Sequence, residues 1–477
     1  MNPTPRLSTL SAVPLSALLL ALLSACAIGP DYRRPDAPTS AAYKEAPAAD
    51  AGWFPAAPAD TLGRGDWWRL FGDAELDRLM PQVEVSNQNV AAAVAAYRQA
   101  RALVGEQRAA LFPSVNADAS AKRSGGGASQ TGTGNSLQLG VGASWAPDLW
   151  GRLGRAVESA QASAQASDAD LAAARLSAQG ELATDYFALR DADTELGLLR
   201  RTVDGFERAL QITQNRYTAG IAPRTDVLQA QTQLAGARAD FVTLTGQRAQ
   251  LEHAIAVLTG QPPAAFALAQ AQWTMTVPAV PLGLPSELLQ RRPDIAASER
   301  AVAAANAQIG IQRAAYFPSL TLSGSFGNAG SRVGDLIGAS TSLWSLGLSA
   351  AQTIFDAGAT HARVEGAEAA RDAAVARYRQ TVLSAFQSVE DQLSATRALA
   401  EQAELRRAAS EAADLAEQQQ LNRYKAGQVS YTEVVTAQAS ALSARRTVAQ
   451  LASNRQAAAI ALIQALGGGW HAAPALP

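Results

Sequence analysis

The sequence predicts a mainly α-helical fold of very long coiled-coil helices, with four short amphipathic strands suited to a membrane β-barrel, organised as an internal repeat. Three observations predict it: two long stretches without proline, four runs in which apolar and small polar residues alternate, and motifs that return some 205 residues later. Of the 477 residues 48% are hydrophobic, yet mean hydropathy is close to zero, which excludes a polytopic helical membrane protein.

No proline occurs between Pro147 and Pro223 or between Pro318 and Pro474, and both intervals are rich in Ala, Gln, Glu, Arg and Leu. These are strong helix formers, so each interval predicts one very long helix. Leu196, Leu199, Val203, Phe206, Leu210, Thr213 and Tyr217 follow one another at spacings of three and four, the seam of a coiled coil. A helix filling most of the region from Arg152 to Ala219 would be roughly 100 Å long at 1.5 Å per residue.

The strands are expected at about 113–122, 136–146, 318–327 and 343–351. Val115, Ala117, Ala119 and Ala121 alternate with Ser114, Asn116, Asp118 and Ser120; Leu137, Leu139, Val141, Ala143 and Trp145 alternate with Ser136, Gln138, Gly140, Gly142 and Ser144. Leu320, Leu322 and Phe326, and then Leu346, Leu348 and Ala350, repeat the pattern. Runs of roughly ten residues can cross a membrane as tilted strands with the apolar face on lipid; half-buried strands of a soluble sheet carry the same pattern. Gly, Ser and Thr-rich segments, Ser124 to Asn135 and Asn328 to Ser340, read as hairpin loops. Open sheet edges are not tolerated in lipid and four strands are too few to close a barrel, so several copies must share one.

The chain contains itself twice. Gln107-Arg108-Ala109-Ala110-Leu111-Phe112-Pro113-Ser114 returns from Gln312 as Gln-Arg-Ala-Ala-Tyr-Phe-Pro-Ser, and Asn215-Arg216-Tyr217-Thr218-Ala219-Gly220 returns as Asn422-Arg423-Tyr424-Lys425-Ala426-Gly427. Gly220 and Gly427 are placed to end the long helices in the left-handed conformation. Ser430 and Glu433 fit a capping box, Pro223 a first helical turn and Asp226 an N-terminal dipole. The expected organisation is a leader 1–25, an extended Pro- and Ala-rich segment 26–72, a first repeat 73–270, a linker 271–285, a second repeat 286–468 and a tail 469–477.

Residues Met1 to Ala25 carry Arg6, then the apolar run Leu15 to Leu23, then small residues, as an export signal does. Cys26 is the single cysteine, so no intrachain disulfide forms, and Leu23-Ser24-Ala25-Cys26 looks like a lipobox whose cysteine becomes the acylated N-terminus. An ordinary signal with an incidental cysteine is the alternative. Ala27, in place of an aspartate that favours inner-membrane retention, points to the outer membrane.

Basic residues number 40 against 42 acidic, giving no global field for nucleic acid. The three histidines, His253, His361 and His471, are far apart, and no nucleophile motif or phosphate loop occurs, so no enzyme activity and no metal site is expected. Arg291-Arg292 reads as a solvated pair at a helix start, with anion binding as the alternative; Trp344 suits an aromatic girdle and Trp67 and Trp68 suit packing.

At this point the chain resembles the TolC-like outer membrane efflux proteins, specifically their NodT/OprM-like lipoprotein branch. The resemblance rests on Gly29-Pro30-Asp31-Tyr32-Arg33-Arg34-Pro35, Trp67-Trp68-Arg69-Leu70-Phe71-Gly72-Asp73, Asp148-Leu149-Trp150-Gly151-Arg152, Arg291-Arg292-Pro293-Asp294, Ile354-Phe355-Asp356-Ala357-Gly358 and the two Tyr-x-x-Gly tips. Asn87-Gln88-Asn89-Val90 departs from the family's Asn-x-Asp-Leu and blurs the register of the first helix.

The resemblance implies a homotrimer forming a shared β-barrel and a periplasmic α-barrel, acting as the passive outer-membrane channel of a tripartite efflux pump. Its partners would be a periplasmic membrane-fusion adaptor and an inner-membrane transporter of the RND type, with no cofactor beyond the lipid on Cys26. It further implies a periplasmic gate: Asp226 and Tyr424 in a hydrogen bond between hairpins, and Glu433 in a carboxylate ring, with Thr436 where some members have a second ring. The adaptor would contact the tips at Tyr217, Gly220, Thr225, Val227, Leu228, Gly427, Thr432 and Val434. Helix capping is the alternative role for Asp226 and Glu433, and a periplasmic adaptor lipoprotein is the alternative function.

Overall fold

The computed structural model describes residues 28–38, 40, 42–45, 66–125, 134–271, 277–278, 280 and 291–469. Cys26, His471 and most of the linker lie outside the described residues.

Helices α1 (Ala74–Ser86) and α2 (Gln88–Ala109) precede strands β1 (Ser114–Ser124) and β2 (Gly134–Trp145), followed by α3 (Arg152–Thr218) and α4 (Arg224–Leu258). The second repeat gives α5 (Pro293–Arg313), β3 (Ser319–Gly330), β4 (Ser342–Ala351), α6 (Ala359–Lys425) and α7 (Tyr431–Ala465). The duplication survives in the geometry: α3 and α6 have 67 residues each, α4 and α7 have 35 each. Even the cross-helix ion pairs recur, Arg238–Glu207 at 2.6 Å in the first hairpin and Arg445–Asp414 at 2.8 Å in the second. No described helix is long and apolar enough to cross a membrane.

The coiled-coil seam is real for most of its length. Leu196, Leu199, Phe206 and Thr213 are buried, and Val203 and Leu210 half-buried, but Tyr217 at its end is exposed.

The strands form one antiparallel sheet in the order β1-β2-β3-β4, leaving β1 and β4 as edges. Its register collects the alternation onto one face. Ala119 pairs with Leu139, Val141 with Phe326, Trp145 with Leu322, Phe326 with Trp344 and Leu322 with Leu348. The opposite face carries Asp118, Gln138, Ser325 and Ser345 in the intervening positions. The second hairpin loop is shorter than its composition suggests, because β3 continues through Asn328 to Gly330. Asp335 then accepts from the amides of Ser331 and Arg332 (both 2.9 Å), and Asn328 Nδ2 donates to Leu336 O (2.7 Å), folding the rest into short 3-10 turns.

The chain divides into two compact units, and these cut across the repeats because both strand pairs join one sheet. One unit comprises the chain up to Asp36, Ala96–Asp168 and Ala297–Tyr378. In it the N-terminal motif is bound to α5 and to the start of α3: Tyr32 Oη donates to Glu299 (2.8 Å) and Asn306 to Pro30 O (2.8 Å) on α5, and Arg155 of α3 donates to Asp31 (2.9 Å). Gly29 (φ +114°) and Gly310 are pressed together there; a Cβ on Gly29 would lie 2.6 Å from the Gly310 Cα.

The other unit comprises Ala37–Ala95, Ala169–Ala296 and the chain from Arg379. Trp67, Trp68 and Phe71 are buried in it, Phe71 against Phe187 at 4.9 Å and Trp67 Nε1 on Gln179 (3.2 Å). Asp73 caps α1 by accepting from Glu75 and Leu76 amides (both 3.0 Å). Asn87 ends α1 and starts α2, its Oδ1 accepting from the Asn89 and Val90 amides (2.9 and 3.1 Å), so the asparagine that this motif shares with the family pattern marks a helix break. Arg292 is not a solvated residue: it forks onto Asp294 (3.0 and 2.6 Å) and donates to Ala465 O at the end of α7 (3.0 Å). His253 and His361 are exposed on helices.

Candidate functional site: the hairpin tips and the apolar sheet face

Both tips have the same backbone. Gly220 (φ +66°) and Gly427 (φ +74°) end α3 and α6, with Gly220 N donating to Tyr217 O and Gly427 N to Tyr424 O (both 2.9 Å), and the next residue reaching back to Arg216 O (2.8 Å) or Arg423 O (2.9 Å). A Cβ at either glycine would meet nothing within 4 Å, so the requirement is for the left-handed φ and not for space.

The helices that leave the tips start without side-chain caps. Ser430 is the N-cap of α7, but the Glu433 amide is taken by the Ser430 carbonyl (3.2 Å), and the expected capping box does not form. Pro223 is likewise the N-cap of α4, one position earlier than expected, with its carbonyl accepting from the Asp226 amide (3.2 Å).

The side chains differ sharply between the tips. Tyr424 is buried at 3% exposure with Tyr431 at 1%, their rings 5.2 Å apart, in a cluster with Ala209, Ala230 and Val434. Tyr217, the repeat mate of Tyr424, is 47% exposed. Val227 and Val434, expected on a contact surface, are packed inside; Leu228, Thr225 and Thr432 are exposed, the last donating to Gln229 (3.3 Å). Glu433 and Thr436 are exposed.

Asp226 and Tyr424 are neighbours, but no hydrogen bond joins them in the protomer: the Tyr424 hydroxyl is buried with no partner among the described residues. The group that engages Tyr424 is Arg216, which the sequence did not single out. Its guanidinium lies over the ring, 4.7 Å from the centroid, and Nη1 donates to the Tyr424 carbonyl (3.2 Å). Burial raises the Asp226 carboxyl above its usual range, against the opposing pull of Arg216. Burial also raises Tyr424, and pushes Tyr431 up to about 12.

The second feature is the sheet. On its apolar face Leu348 is 71% and Trp344 77% exposed, with Leu139, Val141, Phe326 and Leu346 also open. A contiguous apolar face of this size needs a cover of lipid or protein. Among the described residues no group of His, Cys, Asp and Glu side chains converges as a metal site would require.

Comparison with known proteins places these features. The outer membrane efflux protein family model matches twice, over residues 79–261 and 284–468. Outer membrane protein OprJ of Pseudomonas aeruginosa is 33% identical over 470 residues, covering 96% of each chain. The cation efflux system protein CusC of Escherichia coli is 29% identical over 453 residues, covering 94% of this chain and 97% of its own. The solved outer-membrane channel OprN superposes with a TM-score of 0.83 at 32% identity, covering 93% of this chain and 100% of that one. The open state of the Neisseria gonorrhoeae MtrE channel gives 0.82 at 29% identity. These findings leave no room for the adaptor reading, and the chain belongs to the outer membrane efflux protein family, as an outer-membrane efflux channel that extends into the periplasm.

Proposed function

We propose that this chain is the passive outer-membrane duct of a tripartite efflux pump, assembled as a homotrimer and anchored by lipid on Cys26. The observation that carries the assembly is the four-stranded sheet with two free edges and one apolar face, which is stable in lipid only if copies close it into a barrel. The periplasmic partners are a membrane-fusion adaptor and an inner-membrane transporter of the RND type. The adaptor meets the tips at their exposed residues, Tyr217, Gly220, Thr225, Leu228, Gly427 and Thr432, with buried Val227 and Val434 shaping that surface from beneath.

The tips are also the gate, around Asp226, Tyr424 and Glu433. Glu433 is exposed and spent on no cap, which supports a role as one carboxylate of a ring that repels its copies and attracts cations. Cargo is set by the transporter. Relatives of similar identity are called a cation efflux protein, a pyoverdine export protein and a toluene efflux protein, so similarity in the duct does not select among cargoes.

Arginine scanning of the sheet tests the barrel. Arginine at Leu139 or Leu348 should cost about 2 to 4 kcal/mol near the bilayer midplane, while arginine at Gln138 or Ser349 is tolerated. The quantity measured is assembled, heat-resistant trimer in outer membranes, and equal losses on both faces would reject the assembly.

A further inference from the structure

Sequence repetition places an Asn-Arg-Tyr triplet at the end of each long helix, and the fold uses the two triplets in opposite ways. In the second copy the tyrosine, Tyr424, turns inward and Arg423 is exposed, donating to Gln420 on its own helix (3.3 Å). In the first copy Tyr217 is exposed and the arginine turns inward. Arg216, half-buried at the end of α3, reaches across to the end of α6, stacks on the Tyr424 ring at 4.7 Å and donates to the Tyr424 carbonyl at 3.2 Å.

We propose that Arg216 is a positioning residue of the gate, a guanidinium latch that ties the tip of the second hairpin to the first. The proposal rests on the reading of the tips as a gate. Three physical effects converge on this one side chain. A planar cation over an aromatic face is attracted by the ring quadrupole. The carbonyl it binds, which also accepts from the Gly427 amide in the turn, lies at the C-terminus of α6, where the helix dipole favours a cation. Its own Nε is buried without a partner among the described residues, so the head group is held by the ring, the carbonyl and the charge of neighbouring Asp226. The Tyr424 hydroxyl, also buried and unpartnered, contributes nothing to the tie, so the tyrosine is held by its face and backbone. Any motion that parts the two hairpins must break all of these contacts together. Arg423, which crosses to no other helix among the described residues, is the internal control supplied by the repeat.

The test is single-channel conductance of purified trimers in planar bilayers, on Arg216→Gln, Arg216→Lys, Arg423→Gln, Tyr424→Leu and the double variant Arg216→Gln with Tyr424→Leu. Arg216→Gln should raise conductance severalfold. Lysine, which keeps the charge but loses the planar face, should fall between that variant and wild type, and Arg423→Gln should match wild type. The double variant should conduct no more than the larger single, because both singles remove one shared contact. Wild-type conductance in assembled Arg216→Gln trimers, with Tyr424→Leu opened, overturns the latch and leaves the gate reading standing. Wild-type conductance in both singles overturns the gate reading itself. If Arg216→Gln does not assemble, Arg216→Lys decides, and wild-type conductance there overturns the proposal.

Discussion

The two hairpin tips share a backbone turn, a glycine in the same conformation and an Asn-Arg-Tyr triplet, yet one buries its tyrosine and the other its arginine. The difference traces to a single position seven residues on. Where α7 begins with Tyr431, α4 begins with Arg224, and only an aromatic residue there gives the preceding tyrosine a ring to lie against. Tyr424 therefore enters a core of Ala209, Ala230 and Val434, whereas Tyr217, whose counterpart position seven residues on is the charged, exposed Arg224, stays in water. Duplication supplied two equal tips, and one aromatic residue made them unequal.

The largest effect should come from erasing that residue. Tyr431→Arg removes a fully buried ring and leaves a charge among apolar side chains, which should cost about 3 to 5 kcal/mol of protomer stability or more. The reciprocal Arg224→Tyr, on an exposed site, should change stability by only about 0.5 kcal/mol. Urea denaturation of the detergent-solubilised protein compares them, and similar losses for the two would break the account of the asymmetry.

Truncating the tyrosines sharpens it. Tyr424→Ala should cost about 3 kcal/mol by opening a cavity in the tip core, and Tyr217→Ala no more than about 0.5 kcal/mol. The resistance of trimers to heat on a gel should drop for the first variant only.

A smaller effect is expected from Tyr424→Phe. A hydroxyl buried without a partner stabilises nothing, so its removal should shift stability by less than about 0.5 kcal/mol and leave conductance near wild type. A conductance rise equal to that of Tyr424→Leu would restore the hydrogen bond to Asp226 that family resemblance implies.

The smallest effect separates Asp226 from its repeat mate Glu433. Burial raises the Asp226 carboxyl, so the folded protein binds that proton more tightly than the unfolded chain does. The penalty is absent below the unfolded value, appears as pH rises through the folded value, and is full above it. Asp226→Asn should therefore be neutral in strong acid and slightly stabilising at neutral pH, with the change falling just above the usual carboxylate range. Exposed Glu433→Gln should lower cation preference in bilayer recordings. Thermal melts of Asp226→Asn at stepped pH and bilayer selectivity of Glu433→Gln check the two separately.

Much of the fold was legible in local pattern. Proline-free stretches marked α3 and α6, alternation marked the four strands, and glycines marked both turns, because each depends on a period or a φ angle that neighbouring residues set. Prediction failed where a partner from elsewhere in the chain intervened. Ser430 and Glu433 match the letter of a capping box, but there the failure is local, since the backbone carbonyl of Ser430 itself takes the amide. Arg292 reads as a solvated cation, yet the end of α7 supplies a carbonyl for it. Arg216 carries no local signal at all, and comparison of the two triplets could have flagged it only together with the mismatch between Arg224 and Tyr431.

Sequence by itself determined the lengths of the helices, the apolar and polar faces of the strands, the repeat and the site of each reversal, since these are properties of contiguous residues. Tertiary structure alone decided the strand order that leaves β1 and β4 as edges, the face of the sheet shared by all four strands, and the choice between arginine and tyrosine at each tip. Burial is settled by what stands opposite a side chain. At the tips that neighbour lies across the turn or on a helix about 200 residues away, beyond the reach of any local period.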